Sequence, residues 1–390
     1  LNSPFHWLFQ ICELFYMNVS KMVQFDNILL QLRDDPEFQM VLQGKDKYAV
    51  FIKRQEAFGC ILLDKYLQKI DESHFREIGG KKHAISAIER IFETLNNCCR
   101  AFLSGDIATA ISLMYNLYFK DGVLLKTTQI TLGGVFYRMR KAANYNLFKN
   151  EEMFHIPFEK NYLIKNERFS ISGFPSFYLG KSAYVCWEEM GRPDFDHANV
   201  AVYMNREDCT VIDLCMPMQI EDIMGTLFTL PMILCSSLPV LHPEKDFKPE
   251  YIIPQLLMQC LVRYNKERDN AIDGIKYDSI HKYDGKSFYD YREKGMASIY
   301  ENYVFPARQI NDEGHCPFLS ELFILGYSDC FACYELEEYD STKFHEDYLG
   351  TKYGRSKFYA MESHLFQKVK DSILQFDSRY PVGMLANKAE

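Results

Sequence analysis

The sequence predicts an α+β protein: helical to about residue 125, mixed beyond it. Three observations predict this. Apolar residues recur at helical spacing along the first part. After Lys120-Asp121-Gly122 the texture changes to short β-branched and aromatic runs. Helical stretches then break into those runs at irregular intervals, which argues against a regular parallel sheet. With 47% hydrophobic and 15% aromatic residues in a chain of 390, there is material for more than one core.

Taken in order, Ile85, Ile88, Ile91, Phe92 and Leu95 form one face of a helix from Ile85 to Cys99. Ser104-Gly105-Asp106 ends that pattern and offers a cap for the next helix, whose apolar face carries Ile107, Ile111, Met114, Tyr115 and Tyr118. The runs VLLK, GGVFYRMR, FYLG, ANVAVYM and CTVIDL then read as strands. Helices are expected near Ala183–Met190 and Glu250–Tyr264. An amphipathic helix is expected from Phe358 to Phe376, with Leu365, Val369, Ile373 and Leu374 on one side. No repeat or low-complexity segment is evident.

The formal net charge of −9 gives no global attraction for DNA or an anionic membrane surface. Twelve cysteines are scattered, many in apolar runs such as PMILC and LLMQC, which fits reduced buried thiols in a cytoplasmic protein. FHWLFQICELFYM is broken by Glu13 and too short to span a bilayer; Met17 and Met22 are candidate starts. Ile223 to Leu241 holds no charge, but Pro231 and Pro239 interrupt it and Thr226, Thr229, Ser236 and Ser237 dilute it. A buried helix with a loop is the expectation there, not a membrane span.

Several motifs carry less chemistry than they suggest. Gly180-Lys181-Ser182 looks like the end of a phosphate-binding loop, but its leading glycine is misplaced and residue 175 is proline. No glycine-rich dinucleotide fingerprint follows a strand. His315, Cys316, Cys330 and Cys333 can be drawn as zinc ligands, yet an adjacent His-Cys pair rarely serves one tetrahedral ion. Asp194, Asp196 and His197 read as a solvated loop.

The segment ERFSISGFPSFYLGKSAYVCWEEM, from Glu167 to Met190, holds more. Arg168 stands beside an aromatic residue, a strand ends near Tyr178, and a helix follows with two carboxylates, Glu188 and Glu189. Cys186 and Glu189 are three apart and share nearly one helix face. Upstream, Arg138 ends the run FYR; downstream, GIKYDS ends in Ser279. Each has an ordinary explanation alone: a lone arginine is usually a surface ion pair, and a lone tyrosine is usually core.

Together, these residues resemble the RES-domain family over roughly residues 126–310. VFYRMR is similar to the family's opening strand with its arginine, here Arg138. ERFSISGFPSFYLGKS resembles the pattern that carries the family's roles onto Arg168 and Tyr178. VCWEE resembles the helix bearing the glutamate, here Glu189, or Glu188 if the register slips by one. PEYIIPQLLMQCLVRY with GIKYDSI is similar to the late helix and its serine, Ser279, and NYVFP to the closing strand.

The resemblance implies an ADP-ribosyltransferase-like fold of two small sheets around a cleft for NAD. It implies cleavage of the nicotinamide–ribose bond by water or phosphate, with NAD as substrate and no resident cofactor or metal. Glu189 would stabilise the positive charge growing on the ribose, Arg138 and Arg168 would hold the diphosphate, Tyr178 would stack on nicotinamide, and Ser279 would bond a phosphate or the carboxamide. It further implies a bacterial toxin or defence effector restrained by an Xre-type helix-turn-helix antitoxin. A homodimer is compatible with this reading, and no membrane or direct nucleic-acid partner is expected. ADP-ribosyl transfer to a macromolecule, or a non-catalytic NAD-sensing module, are the alternatives.

The helical N-terminus resembles the HEPN-like domain fused to RES domains in larger bacterial proteins. Its Arg76 and His83 straddle Gly79-Gly80, which should break the helix a HEPN nuclease motif needs. The expected division is therefore a helical 1–125, a RES domain at 126–315 and a packed extension at 316–390.

Overall fold

The structure is a computed structural model. It describes residues 31, 35–45, 50–72, 75, 79–142, 147–217, 223–268, 272–283, 287–293, 295–308, 311–330, 348 and 350–376. The FHWLFQICELFYM segment with Met17 and Met22, and also Arg76 and Cys333, lie outside these residues, as do the side chains of Ile373 and Leu374. The principal helices are α1 (Pro36–Gln43), α2 (Phe51–Cys60), α3 (Lys81–Leu103), α4 (Ile107–Tyr118), α5 (Ala183–Glu189), α6 (Ile223–Ser236), α7 (Ile252–Glu267), α8 (Pro317–Leu322) and α9 (Lys357–Phe376). The strands are β1 (Thr127–Ile130), β2 (Val135–Lys141), β3 (Ser176–Gly180), β4 (Ala198–Asn205), β5 (Cys209–Leu214), β6 (Gly274–Asp278), β7 (Glu301–Pro306) and β8 (Phe323–Cys330). The class is α+β, as the sequence predicts.

Two compact units form. The first joins the chain up to Lys126 with Met216–Cys260; the second joins Thr127–Cys215 with Leu261 onward. This grouping differs from a three-part cut at residues 125 and 315. The stretch from Met216 belongs with the N-terminal helices, and the C-terminal stretch belongs with the sheet.

In the first unit, helix starts and stops follow local chemistry. Asp35 accepts the Glu37 and Phe38 amide protons at 2.8 and 3.0 Å, and Gly44 ends α1 in the left-handed region at φ 61°. α3 starts after Gly79-Gly80, both at positive φ, and buries Ile88, Ile91, Phe92 and Leu95. Asp106 caps α4 by accepting the Thr109 N–H at 3.1 Å. Arg54 on α2 explains why the late segment joins this unit. Buried, it donates to the carbonyls of Val41, Leu42 and Pro239 and to Glu250 Oε1 at 2.9 Å. The uncharged stretch becomes α6, with Leu227, Leu230 and Ile233 buried around an internal Pro231. Among the described residues, no helix is long and apolar enough to cross a membrane.

The second unit is built on one sheet of order β1-β5-β6-β7-β3-β2-β4-β8, antiparallel except between β5 and β6. β2 and β3 pair only at Tyr137↔Gly180, so the five-stranded and three-stranded parts join through one residue pair. One face packs Tyr137, Met139, Val200 and Val202 against Val185 of α5 and Tyr359 and Leu365 of α9. The other packs Phe136, Phe177, Tyr203, Phe305 and Phe323 with Leu319 of α8. The run VLLK is not a strand; β1 starts one residue later, at Thr127. The Lys126 N–H is taken by the Thr229 hydroxyl at 2.7 Å instead of a ladder partner, and Leu125 is buried.

Candidate functional site

The site is organised by the β3–α5 junction. Gly180 ends β3, and a Cβ there would fall 2.6 Å from Cys186 Sγ and Val185 Cγ1. Only glycine lets the helix turn back this closely on the strand. Ser182 then starts α5: its hydroxyl accepts the Val185 N–H at 3.0 Å and donates to the Ile299 carbonyl at 2.6 Å. The Ala183 N–H goes to Glu362 Oε1 of α9 at 2.5 Å. Gly180-Lys181-Ser182 is thus a strand-to-helix junction with a cap.

The two carboxylates that end α5 have different fates. Glu188 is buried, bonded by Arg192 Nε at 2.7 Å and Nη2 at 3.0 Å, and accepts the Tyr184 hydroxyl. Glu189 is exposed, and its Oε1 accepts from Asn302 Nδ2 of β7 at 2.7 Å. Cys186, one turn earlier, is buried and bonded to the Tyr137 carbonyl; burial pushes its thiol up to about 12.

Strand alternation identifies what shares a face with Asn302. The pairs Gly180↔Asn302, Tyr178↔Val304 and Tyr277↔Asn302 put Tyr178, Asn302 and Tyr277 on one side of the sheet. Burial holds the Tyr277 phenol well above its usual range; the Glu189 carboxylate and Tyr178 raise it further, and Arg168 opposes them. Glu189, Tyr178 and Arg168 all act electrostatically on the Tyr277 phenol. Phe169, next to Arg168, packs on the Tyr277 ring with centroids 4.7 Å apart. The Tyr178 hydroxyl is 3.2 Å from Ser170 Oγ.

Arg138 and Ser279 lie differently. Alternation along β2 puts Arg138 with Phe136, on the opposite face from Tyr137. Its guanidinium sits over Phe177 at 5.5 Å and donates from Nη1 to the Tyr178 carbonyl at 2.9 Å, bridging the seam where β2 and β3 part. Burial lowers its pKa, and Nε is buried without a hydrogen-bond partner. Ser279 is fully buried; its hydroxyl accepts the His281 N–H at 3.2 Å and its carbonyl the Lys282 N–H, so it turns the chain after β6. The structure thus puts Tyr178 on the sheet face of Asn302, which holds Glu189, with Arg168 next to the Phe169 that packs on Tyr277; it ties Arg138 to the backbone of Tyr178, and leaves Glu188 and Ser279 in internal bonding.

Sequence reasoning singled out neither Asn302 nor Tyr277. Both stand inside quoted runs, NYVFP and GIKYDSI, and a polar residue at an otherwise buried strand position was the available signal for Asn302. Of the residues drawn as metal ligands, His315 packs against His155 with centroids 5.0 Å apart, and the buried Cys330 bonds the carbonyls of Phe195 and Asp196. Among the described residues, no group of three or more His, Cys, Asp or Glu is placed to hold a metal ion. The ten described cysteines are free thiols.

No family model matches the chain, and no solved structure matches it. Among curated proteins the chain is similar to one of Bacillus subtilis (strain 168) named "Putative toxin YopC". The two are 29% identical over 331 residues, covering 77% of this chain and 70% of that protein.

Proposed function

We propose that this chain is a toxin, as its Bacillus subtilis relative is named, and that it acts by cleaving the nicotinamide–ribose bond of NAD. The observation that carries the reading is Glu189: an exposed carboxylate fixed by Asn302, sharing the surroundings of Tyr277 with Arg168 and Tyr178. Nicotinamide is cationic as attached, so it leaves without an acid. The C1′–N bond breaks and its electron pair departs with neutral nicotinamide. Water then adds to C1′ and gives up a proton, yielding ADP-ribose; phosphate in place of water would yield the 1-phosphate.

The demanding part is the positive charge that grows on the ribose. Glu189 meets that charge, and Asn302 keeps the carboxylate from rotating away. Arg168 supplies the cation for the diphosphate, with a forked geometry that lysine lacks. Tyr178 and Tyr277 offer ring surface for nicotinamide. Arg138 is a positioning residue that fixes the Tyr178 backbone. The resemblance adds an inhibitor of the Xre helix-turn-helix type and a cytoplasmic setting, where NAD is plentiful.

Nicotinamide release from NAD by the purified chain is the test. Glu189→Gln keeps the shape and removes the charge, and release should fall by about 10²- to 10⁴-fold. Unchanged release in that variant refutes the assignment. Label from the ADP-ribose half that ends on macromolecules in a cell extract would mean transfer instead of hydrolysis.

A further inference from the structure

β7 carries more than the Glu189 anchor. Asn302, Val304 and Pro306 alternate onto one face, beside Gly180, Tyr178 and Ser176 of β3. From Asn302 to Pro306 the strand rises about 13 Å. At that far end lies a cavity of about 270 Å³ walled by Phe174, Val262, Pro306 and Ala307, with Lys266 and Arg308 also lining it. Asn265 lines it too, but its amide already bonds both the N–H and the carbonyl of Ile272.

Its chemistry is that of an aromatic anion site. Sites for whole drug-sized ligands are usually about 300–1,000 Å³, so this one suits part of a dinucleotide. The walls are apolar and include one ring. Arg308 sits over Phe318, its guanidinium carbon 3.8 Å from the ring centroid, and is paired to Asp273 through Nη2, while its Nε is buried with no partner. Ser176 Oγ, opposite Pro306, is a second buried polar atom without a partner. Asp273 offsets much of the Arg308 charge, so exposed Lys266 supplies the net positive charge.

We propose that this cavity is a second subsite, which takes the adenosine 5′-phosphate half of the dinucleotide. The base lies against Phe174 and Val262, and the phosphate meets Lys266 and Arg308. Its link to Glu189 rests on the NAD reading. The cavity itself can be tested without that reading.

Calorimetry with AMP on the full chain is the direct experiment. AMP should bind, and Lys266→Glu and Val262→Phe should each weaken it about tenfold or more. Both variants should raise KM for NAD by a similar factor, leave kcat unchanged, and leave cleavage of nicotinamide mononucleotide, which lacks the adenylate, unchanged. Thermal melts of both variants confirm that they fold. AMP that fails to bind at millimolar concentration, or that binds wild type and variants equally, overturns the subsite. AMP binding weakened as described, with no nicotinamide released by wild type, upholds the subsite and removes the proposed reaction.

Discussion

Glu188 accepts two bonds from Arg192 and one from Tyr184 in full burial, whereas Glu189 stands exposed with one bond from Asn302. Truncation should therefore separate the two. Glu188→Ala strands the Tyr184 hydroxyl and frees an arginine that is a third exposed and can partly rehydrate. A loss of about 1–3 kcal/mol is expected in urea unfolding. Glu189→Ala should remove activity at a smaller stability cost, that of the one Asn302 amide it leaves behind; equal destabilisation by both would contradict this contrast. The sequence could not choose between adjacent carboxylates by helix face alone. It did hold the deciding signal, because Glu188 and Arg192 stand four apart and pair across one turn. Asn302 was harder to find: one polar residue in a strand has no period, and its meaning depends on which helix end reaches it.

At the scale of elements, α5 depends on α9. Glu362 is fully buried, accepting the Ala183 N–H and the Tyr353 hydroxyl, each at 2.5 Å. Burial pushes its carboxyl up to about 8, against the opposing pull of Lys181; Tyr137 and Cys186 are the other titratable groups on the sheet side that sense it. The folded pKa lies above the unfolded value, so folding favours the protonated form. Its contribution is complete below the unfolded pKa near 4.5 and is lost as pH rises through about 8. Hydrogen exchange in α9, corrected for intrinsic rates, should show greater protection at pH 6 than at pH 9. Glu362→Gln, neutral throughout, should abolish the difference; a wild-type profile that stays flat sinks the prediction. Long elements such as α3 and α9 were legible because their apolar period spans several turns. VLLK misled because composition favours a strand, yet the Thr229 hydroxyl takes the Lys126 N–H that a ladder would need. A short helix like α5 was legible only through its motif, since seven residues hold too few turns for periodicity to settle.

At the scale of the whole molecule, the first unit is assembled from two separate stretches of chain, and no local pattern announces that. Composition revealed α6 as a buried helix, but its partners lie more than a hundred residues earlier. Arg54 is what records the join. It satisfies carbonyls of Val41, Leu42 and Pro239, and Glu250 balances its charge while also accepting the Leu241 N–H at 3.2 Å. Removing one member of such a buried pair leaves an uncompensated charge or orphaned carbonyls. Arg54→Ala should thus cost about 3–5 kcal/mol, seen as lost exchange protection together in α1, α2 and the segment around Glu250. Because the second substitution removes the charge that the first strands, Arg54→Ala with Glu250→Gln should cost clearly less than the two single losses added. Strict additivity would mean that the pair is incidental and that apolar packing alone recruits the late segment to the N-terminal helices.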